Sequence, residues 1–239
     1  MKGSERHRLK ENELSHVIED ATARLQENRN TVMMVGGAVL LVLVVGIGYW
    51  AWTTRGENRA QAMLGDAIVI MQSPVEEKPG AKPGVTGYPT VQARAEAALA
   101  KFAEVYNAYP STGAGIASRY YAASALAMLG RHAEAAARFQ ETADRAGANS
   151  FYGRVARLGV VEAHTRAKKF DEAITVAQAL VNNTTDDTIP RDALLMELGR
   201  VQAAAGKKTE AKQTLDKVIA DFPGSPYVEE AKRMLAELT

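Results

Sequence analysis

The sequence predicts an all-α protein in which one apolar helix, long enough to cross a bilayer, precedes a solenoid of antiparallel helix pairs. Three observations predict it. No charged residue occurs from Asn30 to Thr54, and Val32 to Trp52 is almost continuously apolar. Alanine, the strongest helix former, is heavily used after residue 90. A helix–turn–helix pattern then recurs every 37 or 38 residues, the mark of stacked supersecondary units.

Composition narrows the function classes. Across 239 residues, 29 Lys and Arg stand against 28 Asp and Glu, so no basic field argues for nucleic acid and no acidic one for disorder. Apolar residues at 46% are ordinary for a globular chain. The absence of cysteine excludes disulfides and thiolate chemistry without locating the protein.

Residues 1–30 are a polar tail carrying six basic and six acidic residues. Within it Leu14, Val17, Ile18, Ala21 and Leu25 recur at helical steps, which predicts a short amphipathic helix. That helix either lies on a membrane surface or partner, or simply extends the following span.

Residues 31–54 read as a transmembrane helix, because ~20 apolar residues cross the ~30 Å hydrocarbon core. Tyr49, Trp50 and Trp52 gather at one end, where amphipathic aromatics sit at headgroup level. A signal peptide would be shorter and end in a small-residue cleavage site, whereas this segment runs into Tyr-Trp-Ala-Trp and Arg55. Arg24 and Arg29 before the span balance Arg55 and Arg59 after it. The basic residues of the short tail lean towards a cytoplasmic N-terminus.

Residues 55–72 read as a juxtamembrane helix, with Ala60, Met63, Leu64, Ala67, Ile68 and Met71 on one face. Residues 73–90 contain Pro74, Pro79, Pro83 and Pro89 among three glycines, which predicts an exposed, partly extended loop.

Residues 91–239 carry the repeats. Ala98, Ala135, Ala173 and Ala211 are the reference positions, small because two antiparallel helices cross there. Large side chains follow to fill the seams: Phe102 and Val105, Phe139, Leu180, Leu215 and Val218. First helices end at Gly130-Arg131-His132, Lys168-Lys169-Phe170 and Gly206-Lys207-Lys208. Tyr109-Pro110 and Phe222-Pro223 stop second helices. Ser225–Leu238 is a final helix that closes the last unit.

The reference alanines, the turn glycines Gly130 and Gly206, and the Tyr-Pro and Phe-Pro endings resemble the tetratricopeptide repeat. The usual first-helix tryptophan is missing and the period exceeds the family's 34. The whole layout looks like the bacterial ancillary subunit family of the SecYEG translocon. That resemblance implies a tetratricopeptide-like domain in the periplasm, anchored to the inner membrane, that binds translocating chains and periplasmic chaperones.

Catalytic chemistry is not expected. His7, His16, His132 and His164 form no metal-ligand pair. Gly113-Ala114-Gly115 follows no strand, so it reads as a flexible helix entry rather than a phosphate loop. Asp186-Asp187-Thr188 reads as the start of the next helix, with Thr188 a candidate cap. No cofactor, metal, nucleic acid or small-molecule substrate is expected.

Binding is expected instead. The tetratricopeptide register places Tyr120, Ser124, Met128, Leu158, Glu162, Arg166, Met196 and Arg200, with Ala204, on the concave face formed by first helices. Soft apolar groups beside both charges suit weak, adaptable peptide binding. The resemblance offers no Lys-and-Asn grip on a terminal carboxylate. The expected function is thus a membrane-tethered adaptor or chaperone contacting lipid through residues 31–54, with translocon subunits, unfolded polypeptides or chaperones as partners. The alternative is an envelope scaffold organising cell-division or outer-membrane assembly proteins.

Overall fold

The computed structural model describes residues 29–76, 87–147, 150–183 and 189–238. The amphipathic tail helix expected over Leu14–Leu25 lies outside the described residues, as do Pro79, Pro83, Asp186, Asp187 and Thr188. The chain divides into two units, Met1–Arg55 and Gly56–Thr239. Helix α1, Arg29–Gln72, contributes to both.

In the first unit every large apolar side chain from Met33 to Trp52 is exposed. The helix is long and apolar enough to cross a membrane, with a mean hydropathy of 2.2 in its most apolar window. Thr53 and Thr54 end the apolar run by donating their hydroxyls back to the Trp50 carbonyl, at 2.9 and 2.8 Å. That local bond satisfies polar groups where the segment turns polar.

The second unit is built from helix pairs. After α1 come α2 Val91–Ala108, α3 Gly113–Met128, α4 His132–Ala146, α5 Phe151–Arg166, α6 Phe170–Asn182, α7 Arg191–Ala204, α8 Lys208–Asp221 and α9 Val228–Glu237. Among the described residues the only extended pairing is an isolated bridge between Val75 and Tyr88. There Tyr88 donates to the Pro74 carbonyl (3.0 Å) and accepts from the Glu76 amide (2.9 Å), which closes the ends of the proline-rich loop.

Residues 60–71 are not an independent element. Ala67 packs with Ala98, Phe102 and Ala122, and Ala60 packs with Val105 and Ala114. The end of α1 is therefore the first helix of a pair whose second helix is α2. Sequence periodicity sets 55–72 apart from repeats starting at residue 91; the packing joins them. Glu57 adds a polar tie: its carboxylate accepts from the Gly113 amide (2.9 Å) and the Ala114 amide (3.0 Å), two open donors at the start of α3.

The reference alanines Ala98, Ala135, Ala173 and Ala211 are all fully buried, and so are Phe102, Leu215 and Val218. Burying each large side chain contributes about 1.5–3 kcal/mol. Three turns share one design. Gly130, Lys168 and Gly206 adopt left-handed φ of 73°, 58° and 75°. In each, the next amide (Arg131, Lys169, Lys207) donates to a carbonyl five residues back, at 2.8–2.9 Å. Three helix starts share another. Thr90, Thr112 and Ser150 accept from the amides of Ala93, Gly115 and Gly153, each at 3.0 Å. At α7 the capping position is held by Pro190.

Helix α9 starts at Val228 and packs against the last pair. Ala231 is buried, with Tyr227, Met234, Leu235 and Leu238 packed on the core of α6–α8. Arg200 on α7 donates to both oxygens of Glu230 (2.8 Å each) and to Glu197 (3.2 Å), and lies over the Tyr227 ring at 5.9 Å.

Candidate functional site

First helices α3 and α5 carry most of the residues that the register assigns to a binding face, and an aromatic strip joins them. Tyr120 on α3 contacts Tyr121 (5.6 Å between ring centres), Phe139 on α4 (5.4 Å) and Tyr152 on α5 (5.7 Å). Phe151 stands edge-on to Tyr152 at 5.4 Å, and Tyr121 stacks on Phe102 at 5.5 Å. Offset and edge-on pairs of this kind contribute about 0.5–1.5 kcal/mol beyond burial, so the strip is held in a fixed arrangement.

Its outer edge is open at Phe151, which is 60% exposed, while Tyr120, Tyr121 and Tyr152 are half-buried; Met128, about two turns further along α3 from Tyr120, is 41% exposed. Burial, then the neighbouring Tyr121, pushes the Tyr120 phenol above its ordinary range. Burial also pushes the Tyr152 phenol up, with Tyr121 adding to it. These phenols stay neutral at physiological pH, and their hydroxyls act as donors beside apolar ring faces.

The remaining expected residues divide. Ser124 is half-buried and donates its hydroxyl to the Tyr120 carbonyl at 3.2 Å. Leu158 is half-buried against the α6–α8 core. Glu162 and Arg166 are exposed one turn apart, 3.8 Å from each other, a pairing that leaves both available because such surface pairs are worth little.

One expectation needs correction. Met196 is fully buried in the core beneath α9, where no ligand reaches it. Arg200 pairs with Glu230 and Glu197 beside the Tyr227 ring, yet 39% of its side chain stays exposed. The final helix packs on the same core cluster that buries Met196. Ala204 stays exposed. Of the expected residues, Tyr120, Ser124 and Met128 on α3 and Leu158, Glu162 and Arg166 on α5 stay exposed or half-buried, and Phe151 and Tyr152 stand beside Tyr120. Phe151 opens its helix, about two turns ahead of the positions that the register marks; two adjacent aromatics in an aromatic-poor chain were the available signal.

Gly113-Ala114-Gly115 has a structural explanation. Gly115 lies against the Tyr109 carbonyl, which a side chain would strike, and its amide is capped by Thr112. The equivalent Gly153 lies against the Gly147 carbonyl. Among the described residues no three His, Asp or Glu side chains gather as metal ligands do.

A tetratricopeptide-repeat family profile matches residues 192–225, from α7 through α8. Two crystal structures of nearly identical TPR-like repeats, assigned to a kinesin light chain of Podosopora anserina, are similar in fold. The first aligns with a TM-score of 0.57 at 16% identity over 76% of this chain and 86% of that one. The second, a glutamine-to-methionine variant of the same repeats, gives the same values with 85% of its own chain covered. No curated protein matches in sequence. At that identity the likeness shows the fold, and Gly56–Thr239 is a solenoid of tetratricopeptide-like helix pairs.

Proposed function

We propose that this chain is a membrane-tethered protein-interaction module whose α3–α5 face holds extended polypeptide. The observation that carries the reading is the aromatic strip: fixed rings with an open edge at Phe151, and an exposed Met128 further along α3, on the helices that the repeat turns to one side. Rigid aromatics supply contact area at low entropic cost, and methionine adapts to varied side chains. Glu162 and Arg166 offer both charges to a passing chain without selecting one sequence.

The exposed apolar run Met33–Trp52 is the anchor of this proposal, because so much unburied apolar surface calls for lipid rather than water. The N-terminus is cytoplasmic and the repeats lie in the periplasm of a bacterial inner membrane, next to the protein-export translocon. The basis for that placement is the basic short tail and the layout of tail, span and repeats. Confinement beside a membrane exit site raises effective concentration towards the ~mM range, so weak binding suffices. No reaction is proposed.

Alkaline phosphatase fused after Thr239 should be active in a bacterial host; an inactive fusion with an active cytoplasmic reporter reverses the topology. A photoreactive residue at position 151 of the full chain, illuminated in native membranes, should capture translocon subunits and emerging polypeptides. Capture of division or outer-membrane assembly proteins instead makes the scaffold alternative the better reading.

A further inference from the structure

A second cluster lies away from the aromatic strip, where α2, α3 and α4 meet. Arg119 on α3 is buried, with only 4% of its side chain exposed. Its Nη1 donates to Glu141 Oε1 on α4 at 2.7 Å. Arg138 Nη1 donates to Glu141 Oε2 at 2.8 Å, and Arg145 Nε donates to Oε1 at 3.2 Å. Three guanidinium groups thus share one carboxylate, an excess of two positive charges. The Tyr106 ring of α2 holds two of them, with Arg119 at 4.7 Å and Arg138 at 5.0 Å from its centre.

The arrangement is unbalanced in hydrogen bonding too. Each guanidinium has five N–H donors in a planar fork. Glu141 takes one from each arginine, and Arg119 Nε is buried without any partner. Gathering like charges is unfavourable unless an anion offsets them, and Glu141 offsets one of three. Arg138 and Arg145 are respectively 31% and 50% exposed, so their unused donors reach solvent.

We propose that Arg138 and Arg145, backed by Arg119 and Tyr106, dock an acidic segment of a partner protein: two neighbouring Asp or Glu side chains. Charge complementarity sets the class, since two carboxylates neutralise the excess and accept forked N–H bonds. Burial favours a side chain over a lipid surface: Arg119 is only 4% exposed and Tyr106, under Arg119 and Arg138, is half-buried, so a projecting carboxylate engages the cluster more fully than a flat headgroup layer does. This docking site is independent of the α3–α5 face, so either can fail alone.

The test uses the full chain in nanodiscs of zwitterionic lipid and a fluorescent peptide with paired glutamates, read by anisotropy. Binding should weaken as salt rises. R138Q/R145Q should lower affinity ~10-fold or more, because charge-assisted contacts are lost. R138K/R145K should recover part of it, since lysine keeps the charge and loses the fork. A matched K101Q/K217Q control, removing two exposed charges elsewhere, should bind as the parent does. Retention of affinity in R138Q/R145Q, or equal loss in the control, overturns the proposal. So does an arginine-dependent response to inorganic phosphate or to phosphatidylserine vesicles that the acidic peptide does not match.

Discussion

A methyl group on Gly153 would lie on the Gly147 carbonyl oxygen, inside any allowed contact, and the same holds for Gly115 and the Tyr109 carbonyl. Both glycines sit three residues after a capping hydroxyl, so one short motif, Ser or Thr followed by Gly at the third position, closes two inter-repeat corners. Gly153→Ala should lower stability by about 3 kcal/mol, because the obstacle is backbone rather than a movable side chain. Thermal unfolding of the purified chain checks this, and an unchanged midpoint would mean that the corner relaxes freely. At this scale the sequence was partly legible. The reference alanines lie where the 38-residue period puts them, since crossing helices tolerate only small side chains. Gly115 looked like flexibility because its reason, a carbonyl six residues earlier, is a contact that periodicity does not encode. Met196 looked like binding surface because the register ignores which neighbour covers the last pair.

Individual helices are marginal, and each pair depends on the seam that it shares. The seam between α5 and α6 contains His164, whose Nδ1 is buried without a hydrogen-bond partner. Burial pushes this imidazole below its ordinary value, while Glu172 on α6 raises it and Lys169 in the turn lowers it. Because the folded state disfavours the protonated ring, its contribution to stability is full above the unfolded value of about 6.5. The contribution is lost as pH falls below that. The melting temperature should therefore drop between roughly pH 7 and pH 5. His164→Gln should flatten that slope, and an equal slope in the variant would assign the pH dependence to other groups. Element boundaries followed from the turns: the left-handed Gly130 and Gly206 ended first helices where glycine marked them. Lys168 makes the same turn without glycine, and only the repeat reveals it. The tie between the end of α1 and α2 was not legible, because the proline-rich loop between them is far longer than the other turns.

For the molecule as a whole, the all-α architecture was legible from apolar run length, alanine content and period, each a direct consequence of helix geometry. The burial of Met196 was not. Helix α9 packs on the final pair through Tyr227 and Ala231 and Met196 is buried there, whereas the expected positions on α3 and α5 stay exposed or half-buried. Exposed aromatics there, rather than the repeat register alone, mark where a client chain would lie. The most direct measurement titrates the full chain, in zwitterionic nanodiscs, against a fluorescent protein kept unfolded, and follows anisotropy. Wild-type chain should bind weakly, at high molar excess. Phe151→Ser with Met128→Ser should abolish the signal without loss of helical circular dichroism, because both side chains are largely outside the core. The account is contradicted if that variant stays fully helical and holds the unfolded client as well as the parent does.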